Sequence, residues 1–540
     1  MIQLIGGEMP DYAEQLPPAG GPLLRHLVEH LPTGARVLLA GPHDPGLVAA
    51  LAPGRELTCL VRSHPDALAQ DARDVPGVRI LCGTLPKLTE TDRYDAVLAL
   101  DGVARLCSPE GPQLDWLDAV RALKRVLRPG GALLLTVENE LGVHRLVDPG
   151  AATAARTEDA WRPLGEFGTA PGRADRVAAA LDAEGLVVSG LAAAWPAAHH
   201  PTLLVTPETL GHGPVHALAA LVTAAVGTAY ANRPVLCDPR RLAGAAVRRG
   251  LGAELAPAWL AVAHRAPIAA PAVTLPPVLR AGPGTITELT GSPEAGWAQR
   301  TVGHPGDRPL PSERPLPTAQ PRPAERPLTA ERPHIAERSL PAERPLTAER
   351  PLPAGRLLEE LLLTAALRHE LPTLRRLLTG WMVALPTADA GNVLVDGDRF
   401  ALLDPDAPDC PDALTRFART LTTGGYAHPW QAIADLPRLT AILAGAAGLD
   451  ELPEQSEAQA LPDGRREHEE QLSALRRRLA DAEARAGFFE HELEKRDAEL
   501  GRARMQIAAF SGGLGYRAAK AGLAMARKAR NRLRQQTTRR

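Results

Sequence analysis

From Arg36 to about Val205 short apolar runs alternate with amphipathic stretches. Val37-Leu38-Leu39-Ala40, Leu57-Thr58-Cys59-Leu60-Val61, Val78-Arg79-Ile80-Leu81 and Tyr94-Asp95-Ala96-Val97-Leu98-Ala99-Leu100 read as four buried strands. Between Trp116 and Leu127, apolar residues recur at helical spacing (Leu117, Val120, Leu123, Val126, Leu127). Arg128-Pro129-Gly130-Gly131 then stops the helix and turns the chain into a fifth strand, Ala132 to Val137. A helix from Ala174 to Leu186 leads into Leu186-Val187-Val188, and Thr202 to Val205 could be a last strand. This alternation predicts an α/β fold, a Rossmann-like doubly wound parallel sheet over residues 1–207.

Beyond it the pattern changes several times. Residues 208–266 are Ala-rich and read as a helical extension, and 267–355 as a Pro-rich linker. Within that linker Asp307-Arg308-Pro309, Glu313-Arg314-Pro315, Glu325-Arg326-Pro327, Glu331-Arg332-Pro333, Glu343-Arg344-Pro345 and Glu349-Arg350-Pro351 keep a six-residue beat. Recurring proline forbids helix and suits an extended spacer or a proline-recognition ligand. An amphipathic helix, Leu357 to Leu378, opens a small α+β unit over 356–450, followed by a linker, 451–464. From 465 to 513, Leu472, Leu475, Leu479, Ala482, Ala486, Phe489, Leu493, Arg496, Leu500, Ala503, Ile507 and Phe510 alternate steps of three and four. That seam predicts a coiled coil and a homo-oligomer, with one long helix packed on its own chain as the alternative.

Composition narrows the class. The 540 residues carry a formal net charge of −2, which points to neither nucleic acid nor membrane as a partner for the whole chain. The charge is uneven, however: Leu514 to Arg540 holds nine Lys or Arg and no acid. In this basic tail Arg517, Lys520, Arg527, Lys528, Arg530, Arg532 and Arg534 interleave with Tyr516, Leu523, Met525 and Leu533, as in a helix lying on an anionic membrane. Nucleic acid and a plain solvated terminus are the rival readings. The Ala, Leu, Pro and Arg bias fits a GC-rich genome, as in actinobacteria. Cys59, Cys82, Cys107, Cys237 and Cys410 form no CxxC pair and suit a reducing, cytoplasmic setting. No basic-then-apolar leader opens the chain, and no run reaches the roughly 18 apolar residues that span a bilayer.

Val37-Leu38-Leu39-Ala40-Gly41-Pro42-His43-Asp44-Pro45-Gly46 resembles motif I of class I S-adenosylmethionine-dependent methyltransferases. Leu127-Arg128-Pro129-Gly130-Gly131 resembles that family's late turn, Asp95 to Asp101 its fourth strand, and Gly83 the glycine after its third. The resemblance covers Arg36 to about Val205. It implies S-adenosylmethionine as cofactor, held by Gly41, Pro42, His43, Asp44, Gly46, Val61, Arg62, Gly83, Thr84, Leu100 and Asp101. Asp101, Glu138 and His144 follow strands four and five and are candidate catalytic residues. The departures share one direction. Leu39, Val61 and Thr84 stand where the family has cofactor-binding acids, and His43 where it has a second glycine. Hydrogen bonds to a charged partner contribute about 1.5–3 kcal/mol each, so such losses weaken the cofactor's grip by orders of magnitude.

Gly391 to Pro405 reads as a strand, an Asp-Gly turn and a second strand. It resembles the magnesium-binding hairpin of aminoglycoside-phosphotransferase-like kinases, with Asn392 and Asp404 at the metal positions. The catalytic Asp of that family is replaced by Thr387, and its His by Leu385. The full set of parts resembles the kinase–methyltransferases that terminate bacterial O-antigen chains. Two functions follow as expectations. One is methyl transfer to a glycan or small hydroxyl substrate in a cell-surface pathway, cytoplasmic and peripheral at the inner membrane face. The other is a catalytically inactive scaffold that oligomerises through its coiled coil and docks at the membrane surface.

Overall fold

The computed structural model describes residues 2–14, 16–89, 92–109, 111–147, 169–231, 233, 235–303, 349–424, 426–430, 435–449 and 464–537. They separate into two compact units, Met1–Arg465 and Arg466–Arg540. The first is built on one sheet, whose strands are β1 (Ile2–Gly6), β2 (Arg36–Ala40), β3 (Glu56–Val61), β4 (Val78–Gly83), β5 (Tyr94–Ala99), β6 (Leu127–Glu138), β7 (Leu186–Trp195), β8 (Leu203–Val205), β9 (Ala258–Arg265), β10 (Val278–Gly282), β11 (Thr285–Ser292), β12 (Gly296–Gly303) and β13 (Arg350–Pro351).

Their spatial order is β1-β4-β3-β2-β5-β6-β9-β7-β8-β10-β11-β12-β13. From β1 to β6 all neighbours are parallel, and from β6 onward all are antiparallel. Strands β4-β3-β2-β5-β6 follow the 3-2-1-4-5 order of a doubly wound sheet, so the topological switch point lies between β2 and β5. The β2–β5 pairing there sets Val37 against Ala96 and Leu39 against Leu98. The expected α/β, Rossmann-like architecture is present.

Alternation explains why both sheet faces are covered. Val37 and Leu39 of β2 pack with Leu23, Leu27, Leu47 and Leu51 from helices Pro22–Glu29 and Pro45–Leu51. Leu38 and Ala40 pack on the other face with Trp116, Val120 and Leu123 of helix Trp116–Val126. Strands buried on both faces must be apolar throughout, which is why these runs stand out in the sequence. Helix Ala174–Ala183 and strand β7 also fall where expected. The Arg128–Gly131 turn is absorbed into β6 as an irregularity: Tyr94 pairs with Leu127 and Ala96 with Ala132, while Gly130 takes φ 78°.

Several boundaries differ from the sequence reading. The sheet does not end near residue 207. Strand β9, from the stretch assigned to a helical extension, inserts between β6 and β7, and it is buried on both faces (Ala258 to Ala263). Helices Pro207–His212, Val215–Ala229 and Pro239–Arg248 account for the rest of that extension. Part of the assigned linker is also folded: β10, β11 and β12 are an antiparallel meander, with Leu279, Ile286 and Leu289 buried. The prolines lie in turns, as in Pro283-Gly284 between β10 and β11, where no ladder hydrogen bond is lost. The ERP repeats up to residue 348 lie outside the described residues, as does most of the 451–464 linker. The last repeat contributes β13, paired with β12.

Residues 356–449 form a lobe of the same unit. Its small sheet comprises β14 (Arg356–Leu357), β15 (Val393–Asp396) and β16 (Arg399–Leu402), in that order. Helices Leu358–Leu367, Leu371–Ala384, Ala413–Thr423 and Leu436–Ala447 enclose a core around Trp381, Phe417 and Leu443. The second unit consists of helices Gly464–Gly512 and Leu514–Thr537. On the first helix Leu475, Leu479, Phe489, Leu493, Leu500 and Ile507 are all more than half exposed. No helix among the described residues is long and apolar enough to cross a membrane.

Candidate functional site at the carboxyl ends of the parallel strands

The crevice above β2, β3, β4 and β5 is where a doubly wound sheet places its ligand. Here the chain's own N-terminal segment crosses it. Met9 N donates to Arg62 O (2.8 Å) and His64 N to Met9 O (3.1 Å). Further along, Ala19 N donates to Pro42 O (3.1 Å) and Asp44 N to Ala19 O (2.8 Å). Two short parallel bridges, Met9 with Ser63 and Ala19 with His43, thus pin the strap at both ends. Gly83 makes room for its start: a Cβ there would lie 2.5 Å from the Ile5 side chain.

Between those pins lies a buried quartet of charges. Arg62 Nε and Nη2 donate to Glu14 Oε1 and Oε2 (2.7 and 3.3 Å), a two-pronged carboxylate contact. Arg62 Nη1 donates to Cys107 O (2.6 Å). Arg105 forks onto Asp101, with Nε donating to Oδ2 at 2.5 Å and Nη2 to Oδ1. Its Nη1 and Nη2 also donate to Leu16 O (3.0 Å) and Pro17 O (2.8 Å), and Nη1 lies 3.8 Å from Glu14 Oε2. All four side chains are under 10% exposed. Burial pushes the Asp101 carboxyl up to about 6, against the pull of Arg105.

The residues expected to hold a cofactor are brought together here, but they are engaged with each other. Gly41 has the left-handed φ of 97° that a close backbone approach needs, yet Leu106 and Asp101 side chains already face it. Asp44 is committed: Oδ1 accepts from Leu47 N (2.8 Å) as the helix cap, and Oδ2 accepts from Gly21 N (2.9 Å) of the strap. His43 Nδ1 is bonded to Gly41 O (2.8 Å), its Nε2 is buried without a partner, and burial pushes its imidazole down to about 4. Pro42 accepts the strap through its carbonyl, and Gly46 lies in the first turn of the following helix. Leu100 and Val61 are buried and apolar. Thr84 is fully buried, its Oγ1 unpartnered and facing Gly7 and Gly111.

The site fits S-adenosylmethionine poorly. The strap fills the space between the pins, and both guanidiniums there are paired with carboxylates, Arg62 with Glu14 and Arg105 with Asp101. Of the further carboxylates at this edge, Asp66 Oδ2 accepts from Glu14 N (3.0 Å), and Glu8 Oε2 is buried without a partner. Leu39 is in the core under the sheet, so nothing about its placement restores the missing acid.

Glu138 and His144 do meet: His144 Nε2 lies 2.9 Å from Glu138 Oε1, and Arg145 Nη2 donates to the same oxygen (2.7 Å). Burial works against the Glu138 charge, but His144 and Arg145 overcome it and hold the carboxyl near 2. A carboxylate held this firmly is a poor proton acceptor near neutrality. His199, in the loop after β7, is within electrostatic range of Arg105 and Glu138. Sequence reasoning passed over Glu14, Arg105 and His199. The spacing of Asp101 and Arg105 hinted at a pair, whereas Glu14 carries no local signal because its partners are 48 and 91 positions away.

The kinase-like positions serve the fold. Asn392 clamps the backbone of Asp404, donating Nδ2 to Asp404 O and accepting from Asp404 N, both at 2.8 Å. The Asp404 carboxylate is paired with Arg280 of β10, tying the hairpin to the large sheet. No group of three metal-ligating side chains occurs among the described residues.

No family model matches the sequence, and no curated protein matches it. Among solved structures the chain is similar to the 1,6-didemethyltoxoflavin-N1-methyltransferase of Burkholderia thailandensis, at 16% identity over 46% of this chain and 77% of that one, with a TM-score of 0.26. It is similar also to the [4+2]-cyclase SpnF (17% identity, 45% and 80% covered, TM-score 0.25). A third is the N-methyltransferase NodS of Bradyrhizobium japonicum (15% identity, 33% and 78% covered, TM-score 0.22).

Proposed function

We propose that this chain is an assembly scaffold carrying a methyltransferase-like sheet whose cofactor crevice is closed by its own N-terminal strap. The observation that carries this reading is the Glu14–Arg62 and Asp101–Arg105 quartet at the carboxyl ends of β3 and β5. Glu14 and the Leu16 and Pro17 carbonyls fill the space between Arg62 and Arg105, and both acids of the quartet are spent on these guanidiniums, so neither is left to meet a sulfonium. In this reading the 465–513 helix oligomerises the chain in the cytoplasm, and the basic 514–540 tail rests on the anionic inner membrane face.

A second reading, methyl transfer from S-adenosylmethionine to a glycan or small hydroxyl substrate, is supported by the strand order and by Gly41. It requires Glu14 to leave the crevice and supplies no replacement for the acids absent at Leu39, Val61 and Thr84. Calorimetry of the full chain with S-adenosylmethionine and S-adenosylhomocysteine separates the two. The scaffold reading expects no heat at millimolar ligand. Binding tighter than about 100 μM, about −5.5 kcal/mol, would overturn it.

A further inference from the structure

The strap presents oxygens to two arginines in the way a bound oxyanion would. Arg62 sends Nε and Nη2 to the Glu14 carboxylate, and Arg105 sends Nη1 and Nη2 to the carbonyls of Leu16 and Pro17. Each guanidinium is also held from behind by groups outside the strap: Arg62 by Cys107 O, and Arg105 by Asp101. Removing the middle of the strap would leave two prearranged, buried forks facing the same space, with Asp101 on Arg105 and Asp66, the acceptor of Glu14 N (3.0 Å), at its edge. Loss of the Glu14 carboxylate would raise the local charge by one.

We propose that Arg62 and Arg105 form a binding site for the phosphoryl group of a small molecule, and that Glu14 occupies it as an internal surrogate. The proposal rests on the reading that S-adenosylmethionine is not the crevice's ligand. Phosphate is favoured over a carboxylate by size. Glu14 satisfies Arg62 but stops 3.8 Å short of Arg105, beyond a hydrogen bond, whereas a tetrahedral oxyanion offers oxygens to both forks. The strap is suited to exchange. Its two ends are pinned by backbone bridges, while Leu16 in the middle is half exposed and Glu14 is held by Arg62 and by one backbone hydrogen bond, its N donating to Asp66 Oδ2 (3.0 Å). A buried ion pair contributes little net stability, because desolvation offsets its attraction, so an incoming anion that satisfies the same guanidiniums can replace it.

The test uses the full chain and its Glu14→Ala variant, with inorganic phosphate and acetate as probes and sodium chloride at matched ionic strength as control. Removing an internal competitor raises apparent affinity by the inverse of the fraction of time the site is free. E14A is therefore expected to bind phosphate at least about tenfold tighter than the native chain, and tighter than acetate. In the native chain, phosphate and not chloride should speed amide exchange at Met9 and Ala19, whose hydrogen bonds hold the strap. That second measurement decides the matter if E14A fails to fold. Equal phosphate affinity in both proteins, or exchange that responds alike to phosphate and chloride, would overturn the proposal; acetate binding as tightly as phosphate would overturn its phosphoryl preference. A phosphate response together with S-adenosylmethionine heat would sink the scaffold reading alone. Absence of both would sink only the phosphoryl site.

Discussion

His43 shows how one substitution can change what a loop is for. A glycine in its place would remove the side chain that fills the turn after β2. The imidazole instead bonds Gly41 O at 2.8 Å and buries Nε2, and loss of water pushes its pKa down to about 4. An unfolded His titrates near 6.5. Between about 6.5 and about 4 the unfolded chain therefore takes up a proton that the folded chain refuses. Stability from this group is present above pH 6.5 and lost as pH falls, by up to about 3 kcal/mol. Asp101 has the opposite sign: its folded pKa of about 6 exceeds the unfolded value, so it stabilises as pH falls through nearly the same window. The native profile is a near-cancellation of the two, and His43→Asn uncovers the Asp101 contribution. Denaturant unfolding at pH 7.0 and 4.5 should show the variant gaining stability on acidification relative to the native chain. Parallel changes in both proteins would mean that His43 takes up its proton in the folded state.

Elements were legible in proportion to how completely they are buried. Strands β2 to β5 are apolar on both faces and declare themselves, as does helix Trp116–Val126 with its single apolar stripe. Strand β9 is equally buried but Ala-rich, and after a helical stretch its composition reads as more helix. The meander β10–β12 escaped for another reason: Arg280, Glu288 and Arg300 alternate with Leu279 and Leu289, and prolines punctuate the turns, so a one-face sheet looks like a linker. The crevice was legible in position but not in content, because Glu14 and Arg105 meet through the fold and not through spacing. The lobe 356–449 is joined by charge to helix Pro239–Arg248 as well. Arg240 binds Asp238 and the buried Glu359 (3.0 Å), and Tyr426 bonds Asp238. Arg240→Ala strands Glu359, whose carboxyl burial already pushes upward, and should cost about 3–5 kcal/mol. The solvent-facing pair of Arg128 and Asp95 gives the contrast, and Arg128→Ala should cost less than about 1 kcal/mol. Equal costs by denaturant unfolding would mean that the lobe is held by apolar contacts instead.

For the whole molecule, the proposed scaffold reading makes membrane docking depend on oligomerisation, but not the reverse. Helix Gly464–Gly512 exposes Leu475, Leu479, Phe489, Leu493, Leu500 and Ile507 at coiled-coil spacing, and burying such side chains contributes about 1.5–3 kcal/mol each. Helix Leu514–Thr537 carries seven Lys or Arg up to Arg534, while Leu523, Met525 and Leu533 are exposed. A polybasic segment gains about 1 kcal/mol per cation at an anionic surface, an attraction that salt screens. One such tail binds reversibly. Two or more joined by a coiled coil bind far more firmly, because the second tail is already at the surface when the first engages. The Leu479→Asp/Leu493→Asp variant should therefore do two things at once. Light scattering should fall from an oligomer to a monomer, and sedimentation with phosphatidylserine vesicles should weaken by about tenfold or more, although every basic residue is intact. Deleting 514–540 should abolish sedimentation while leaving the oligomer unchanged. If the Asp variant stays oligomeric, the seam lies elsewhere; if it becomes monomeric and sediments as well as the native chain, each tail acts alone and the coiled coil serves some purpose other than avidity.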